Sequence, residues 1–117
     1  MRLIVATACL LATVAGAGEA DVVKVAVEKI GPTYRFAVTV AHRDEGWEHY
    51  ADKWEVIGPD GQVLVTRVLL HPHVEEQPFT RSLSGVEIGS EIHSVTVRAH
   101  DLVHGYGGRE MQVELPR

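Results

Sequence analysis

His71-Pro72-His73 puts two imidazoles two residues apart, with Pro72 biasing His71 toward an extended backbone. In an extended chain residues i and i+2 project to one side, so both rings can reach a single ion. Glu75 or Glu76 can add a carboxylate, and His42, His100 or His104 can arrive from neighbouring loops. Two or three imidazoles with a carboxylate suit Zn²⁺ or Cu²⁺, the two cofactors this sequence admits. Competing with that reading is a structural one, in which the rings cap strand ends or bond backbone in a stiff loop. The pair lacks the second, longer-spaced pair of a zinc finger. Met111 is the one methionine beyond the first residue, which excludes a Met-rich Cu⁺ site.

A second set is aromatic. Trp47 and Tyr50, with His49 between them, follow the polar run Arg43-Asp44-Glu45, and Tyr106 sits in the turn Gly105-Tyr106-Gly107-Gly108. Aromatics on loops anchor partners or small ligands, so Trp47, His49, Tyr50 and Tyr106 are the candidate contact residues. Folding down over the end of the core is the alternative for Trp47 and Tyr50, and positive φ in a last hairpin is the alternative for the glycines. The glycine spacing lacks the strand-loop-helix context of a phosphate loop. Ser82 and Ser84 lie outside any strand-to-helix elbow, so the expectation is a non-enzyme.

Those loops need a scaffold, and the chain supplies strands. Tyr34, Phe36, Val38 and Val40 share one parity, and Arg35, Ala37, Thr39 and Ala41 the other. Period two with β-branched and aromatic residues signals half-buried strands. Val23, Val25 and Val27 alternate likewise, as do Trp54 and Val56, then Val95, Val97 and Ala99, then Met111, Val113 and Leu115. Gly58-Pro59-Asp60-Gly61 is a turn signal and makes 53–70 a hairpin. Phe79–Leu83 adds a seventh strand. Trp47, Tyr50, Ala51 and Trp54 are spaced as on a helical face, which predicts one turn of helix before the third strand. The reading is all-β, an immunoglobulin-like antiparallel sandwich of about seven strands with Trp54 in its core. Val38 and Val97 stand where an immunoglobulin's cysteine pair would be, so no disulfide bridges the sheets.

Residues 1–20, MRLIVATACLLATVAGAGEA, have the order of a secretory signal peptide. Arg2 precedes twelve apolar or small residues, Leu3 to Val14, short of the ~20 that span a bilayer. Cleavage after Ala20 uses Gly18 and Ala20 as the small residues, and cleavage after Ala17 uses Ala15 and Ala17; the first is preferred. Residues 21–117 then form a single domain. Cys9, the one cysteine, lies inside the apolar stretch rather than after it, so lipid attachment is not expected. The domain is placed in the periplasm, or secreted, with no membrane contact after cleavage. The net charge of −5 and the lack of a basic block exclude nucleic acid as a partner.

Gly46-Trp47-Glu48-His49-Tyr50-Ala51-Asp52, His71-Pro72-His73 with Glu76-Gln77-Pro78-Phe79-Thr80-Arg81, and His104-Gly105-Tyr106-Gly107-Gly108 resemble motifs of a group of small exported bacterial proteins. The resemblance covers nearly the whole chain beyond the leader. It implies export and a single domain, and carries no assigned activity. The function expected is that of an exported binding or accessory module whose partner is a periplasmic protein or small ligand, met by loops at one end of a sandwich. The alternative is a Cu or Zn binder built on His71 and His73. A pH-responsive surface is a third reading, since protonating all seven histidines carries the net charge from −5 to +2.

Overall fold

The structure, a computed structural model, describes residues 18–117; residues 1–17 of the expected leader lie outside it. Seven strands succeed one another: β1 (Asp21–Ile30), β2 (Thr33–Ala41), β3 (Ala51–Ile57), β4 (Val63–Val68), β5 (Phe79–Val86), β6 (Ser94–Asp101) and β7 (Met111–Glu114). All pairings are antiparallel, in a three-stranded sheet ordered β1-β2-β5 and a four-stranded sheet ordered β4-β3-β6-β7. The two sheets close on each other as a disulfide-free, immunoglobulin-like sandwich. Among the described residues no helix is long and apolar enough to cross a membrane.

The period-two pattern sets which side chains meet between the sheets. Phe36, Val38 and Val40 of β2 are fully buried and face Trp54 and Val56 of β3 and Val95, Val97 and Ala99 of β6 in one core. Each large side chain so buried contributes on the order of 1.5–3 kcal/mol. β1 departs from simple alternation. Its pairing with β2 slips between Val22 and Lys24, so Val22 is buried while Val25 and Val27 pack at the core margin. One extra residue in a strand reverses the facing of the residues beyond it, which is why the run Val23, Val25, Val27 does not share one face. The 53–70 hairpin forms as expected. Gly61 N–H donates to Gly58 O at 3.0 Å and Gly61 takes φ +87°, closing the turn between β3 and β4.

The expected helical turn before β3 is absent. Gly46 and His49 instead form an antiparallel bridge across a tight turn, with Glu45 N–H donating to His49 O at 2.8 Å. The local spacing of Trp47, Tyr50 and Trp54 mimics a helix, but β3 already starts at Ala51 and claims Trp54 for the core. Trp47 is left 67% exposed, edge-on to Tyr50 at 5.8 Å between ring centroids.

Antiparallel order also decides where the loops gather. The β2–β3, β4–β5 and β6–β7 connections and the residues entering β1 all fall at the same end of the sandwich. Cross-loop bonds tie them together: His42 N–H donates to Gln77 Oε1 (3.0 Å), and Gln77 Nε2 donates to His73 O (2.9 Å). The entering segment docks on the last loop, where Val22 N–H donates to Arg109 O at 2.8 Å and Arg109 N–H to Asp21 Oδ1 at 2.6 Å. Gly108 has no side chain for a reason of space: a Cβ there would lie 2.0 Å from Ala20 O. Gly108→Ala is therefore expected to destabilise the domain by about 3 kcal/mol or more. Gly31→Ala is not a matched control, because Gly31 has φ +59°; Glu110→Ala on the same connection should cost under about 0.5 kcal/mol. Urea unfolding of the two variants checks the difference, and near-equal midpoints would contradict the close approach.

Candidate metal centre

Inward parity continues past the apolar stretches into polar residues. His42 lies two positions after Val40, just beyond β2, and Asp101 two after Ala99 at the end of β6; both are buried. A polar residue at a core-facing position must find partners inside, and these two find each other: His42 Nε2 lies 3.1 Å from Asp101 Oδ2. His49, brought back by the Gly46–His49 turn, places its Nε2 2.7 Å from the same oxygen. The Gly18 carbonyl oxygen lies 3.2 Å from His42 Nε2 and 3.4 Å from His49 Nε2. Two nitrogens and two oxygens thus enclose one small volume.

The far side of each ring decides what that volume needs. His42 Nδ1 is hydrogen bonded to the buried carboxylate of Asp44, and His49 Nδ1 to Glu45 Oε1 at 2.6 Å. An ionised carboxylate only accepts, so Nδ1 of each ring carries the proton. In a neutral ring Nε2 then holds a lone pair. Both lone pairs point at oxygens that are themselves acceptors, and only positive charge relieves that arrangement. Either the rings are protonated a second time, or a cation sits among them. Carboxylate-held imidazoles aimed at a common point are the supporting pattern of metal-ligating histidines. In tetrahedral coordination with bonds near 2.0–2.2 Å, neighbouring ligand atoms stand roughly 3.3–3.6 Å apart. The four nitrogen–oxygen contacts here run from 2.7 to 3.4 Å, and the three side-chain ligand atoms lie within 4.8 Å of one another.

The remaining groups hold this set in place. Asp101 is fully buried and takes two bonds from His104, Nδ1 to Oδ2 at 2.9 Å and backbone N–H to Oδ1 at 3.0 Å. Burial alone would raise its pKa; bonds from His104, His42 and His49 outweigh that and hold it below the ordinary carboxylate value. His49 is raised by its bond to Glu45, against burial, with Asp101 and the Gly18 carbonyl adding to the rise. Glu45 is lowered by the same bond from His49. Asp44 reaches further: its Oδ1 accepts Ala51 N–H at 3.2 Å and its Oδ2 accepts His73 N–H at 2.6 Å.

The candidates from sequence are thereby distributed. His42 and His104 gather on Asp101 rather than on the expected His71/His73 pair, and His49, which the sequence groups with the contact aromatics, joins them. Asp101, Asp44, Glu45 and Gly18 complete the cluster without a motif to single them out, although the parity of β2 and β6 already marks positions 42 and 101 as inward. His100, adjacent to Asp101, faces the other way, with Nδ1 2.6 Å from Asp52 Oδ1 and its ring against Tyr106. Tyr106 is not beside Trp47 and Tyr50. It lies on the outer face of the β3–β6 sheet, donating its hydroxyl to Glu55 Oε2 at 3.1 Å under the Arg98 guanidinium.

His71 and His73 pair with each other, ring centroids 4.8 Å apart, rather than with the other imidazoles. His71 is exposed. His73 is buried, stacked on Phe79 at 4.0 Å, and neither ring nitrogen has a partner. Its nearest carboxylate oxygen, Asp44 Oδ2, is 4.0 Å from Nδ1. Burial lowers the His73 pKa, with Arg81 and His71 adding to it against Asp44 and Glu76. A group whose folded pKa is depressed contributes stability that is lost as pH falls below its ordinary value. His73 is thus expected to subtract stability from about pH 6.5 downward, and His73→Phe to lack that part of the slope. The difference between the two proteins isolates His73, because His49, raised in the fold, acts with the opposite sign in both. Denaturation midpoints at several pH values measure it, and parallel curves would refute it.

Among known proteins, the chain is similar to one described as a "Putative lipoprotein" from Halomicrobium mukohataei. The two are 43% identical over 97 residues, which is 82% of this chain and 47% of that protein. The chain therefore spans about half the length of the curated relative it matches. No family model matches the chain, and no solved structure matches it.

Proposed function

We propose that this protein is an exported accessory module that binds one divalent transition-metal ion, Zn²⁺ or Cu²⁺, at the loop end of its sandwich. His42 Nε2, His49 Nε2 and Asp101 Oδ2 are the protein ligands, with the Gly18 carbonyl beside them. Asp44 and Glu45 orient the two rings, and His104 orients Asp101. The observation that carries this is the facing of two carboxylate-locked imidazoles onto one buried carboxylate oxygen. Imidazole and carboxylate together suit these two ions better than Ca²⁺ or Mg²⁺.

Export is supported by the leader-like residues 1–20 and by the description of the similar protein as a "Putative lipoprotein". The lipid anchor is not carried over, because Cys9 lies inside the apolar stretch. The periplasm is the proposed compartment. The role proposed for the site is binding.

Native mass spectrometry of metal-stripped protein, titrated with Zn²⁺ and with Cu²⁺, tests the reading. One equivalent that resists free imidazole and is missing from His42→Ala/His49→Ala is the expected result. Loading that is heterogeneous and equal in both proteins would make the cluster purely structural.

A second reading has its own observation. Trp47, His71, His73, Glu76 and Arg81 line a groove of about 550 Å³ on the same end, along which the unpartnered His73 ring lies. It suits a small ligand or a periplasmic partner that offers a hydrogen-bonding group beside an apolar edge. Recovery of the same envelope proteins by wild type and by Trp47→Ala/His71→Ala would exclude it.

A further inference from the structure

We infer that export processing ends at the Ala17–Gly18 bond, and that the Gly18 α-amino group so created joins His42, His49 and Asp101 as a ligand of the bound ion. The second half rests on the metal-binding reading above; the first half stands without it. Two bonds carry the small residues a leader peptidase needs, Ala15 and Ala17 before one, Gly18 and Ala20 before the other. Packing separates them.

Cleavage after Ala20 would remove residues that the fold uses. Ala20 is 1% exposed and belongs to the core cluster, and its carbonyl lies against Gly108. The Glu19 carboxylate lies against Gly107, 3.0 Å from where a Cβ would be. Cleavage after Ala17 leaves all of these contacts intact, and it puts the new ammonium on Gly18, which is only partly buried. In that hydrolysis the Ala17–Gly18 amide C–N bond breaks. Water supplies the oxygen that makes the Ala17 carboxylate and the hydrogen that completes the Gly18 amine.

Gly18 is suited to a ligand position. A Cβ on it would lie 2.8 Å from His104 Cε1, so the lack of a side chain lets its backbone lie against that ring. Its carbonyl already faces both Nε2 atoms. The amino nitrogen and carbonyl oxygen of a terminal glycine are separated by two carbons, so they can close a five-membered chelate ring on one cation. A free amine is a nitrogen donor of the class that Zn²⁺ and Cu²⁺ prefer.

The test has two readouts. The protein is exported from a bacterial host with its own leader, and its intact mass and amino-terminal sequence are determined. A start at Gly18 is expected, and a start at Asp21 overturns the processing half. Three forms are then prepared by specific proteolysis: one beginning at Gly18, one with a single Ala before Gly18, and one beginning at Asp21. The Gly18 form is expected to bind Zn²⁺ and Cu²⁺ at least tenfold more tightly than the Ala-extended form, which keeps the carbonyl but moves the amine. Equal affinities would remove the amine from the site while leaving the histidine ligands in place. Absence of binding in both would defeat ligation along with the metal reading itself, and the mass measurement would still decide the processing half. The Asp21 form is expected to melt lower than the other two, and an equal midpoint would overturn the packing argument.

Discussion

Glu45→Gln is expected to weaken Zn²⁺ binding about 10–100-fold while leaving the metal-free protein's thermal midpoint unchanged. Glu45 is an exposed residue whose one side-chain bond here is to His49 Nδ1, at 2.6 Å. Gln presents a neutral oxygen or an N–H in place of a carboxylate, so it holds the ring less firmly and makes Nε2 a poorer donor. Loss of such an outer partner typically costs one to two orders of magnitude in metal affinity. His49→Ala removes the ligand atom itself and should cost more than about 100-fold. His71→Ala/His73→Ala should change nothing at this site, since that pair stands apart from the other imidazoles. Calorimetric titration of the four proteins measures the series. Affinity that falls with the 71/73 pair and ignores Glu45 would move the ion to the groove and end the present assignment.

Asp101→Ala is expected to cost the metal-free domain about 3–5 kcal/mol, the largest effect of any single polar substitution. The carboxylate is fully buried and gathers three imidazoles and a backbone N–H. Removing it strands those donors where water cannot replace it, and an orphaned buried group carries its full desolvation cost. Asp101→Asn keeps the shape and one acceptor oxygen, so it should unfold less readily than Asp101→Ala and yet lose the anionic ligand. That split separates structural from metal-binding roles. Asp52→Ala is the comparison on the outer face, where its pair with His100 is partly exposed and contributes about 1 kcal/mol or less. Urea midpoints of the metal-free proteins give the ranking. If Asp101→Ala and Asp52→Ala fell equally, the cluster would not be a buried network.

The strands were legible because their signal is local. Alternation over Tyr34–Val40 and over Val95–Ala99 needs no knowledge of the rest of the chain, and β2 and β6 bury those residues accordingly. The same alternation, extended by two residues, reaches His42 and Asp101. Reading His100 as a ligand alongside His42 overlooks it, since neighbours on a strand point to opposite faces. The helical spacing of Trp47, Tyr50 and Trp54 misleads for the converse reason. Spacing over a few residues does not say where a strand begins, and core burial of Trp54 outweighs the propensity of one turn.

Sequence alone was enough to determine an all-β sandwich without a disulfide, because periodicity and cysteine count are properties of the chain itself. It was enough, too, to bring the segments around Trp47-Glu48-His49-Tyr50, His71-Pro72-His73 and Gly105-Tyr106-Gly107-Gly108 forward as the places where chemistry could occur. Which histidines meet was decided only in three dimensions. His42 and Asp101 are 59 positions apart and belong to opposite sheets, and His49 reaches them through a turn closed by Gly46. The short-range pair His71-Pro72-His73 stands apart, because the ring of His73 is spent on Phe79 and its backbone N–H on Asp44. Proximity in sequence measures only what an extended segment can reach. Convergence on one ion depends on how two sheets pack, and that is settled by the apolar residues between them rather than by the ligands.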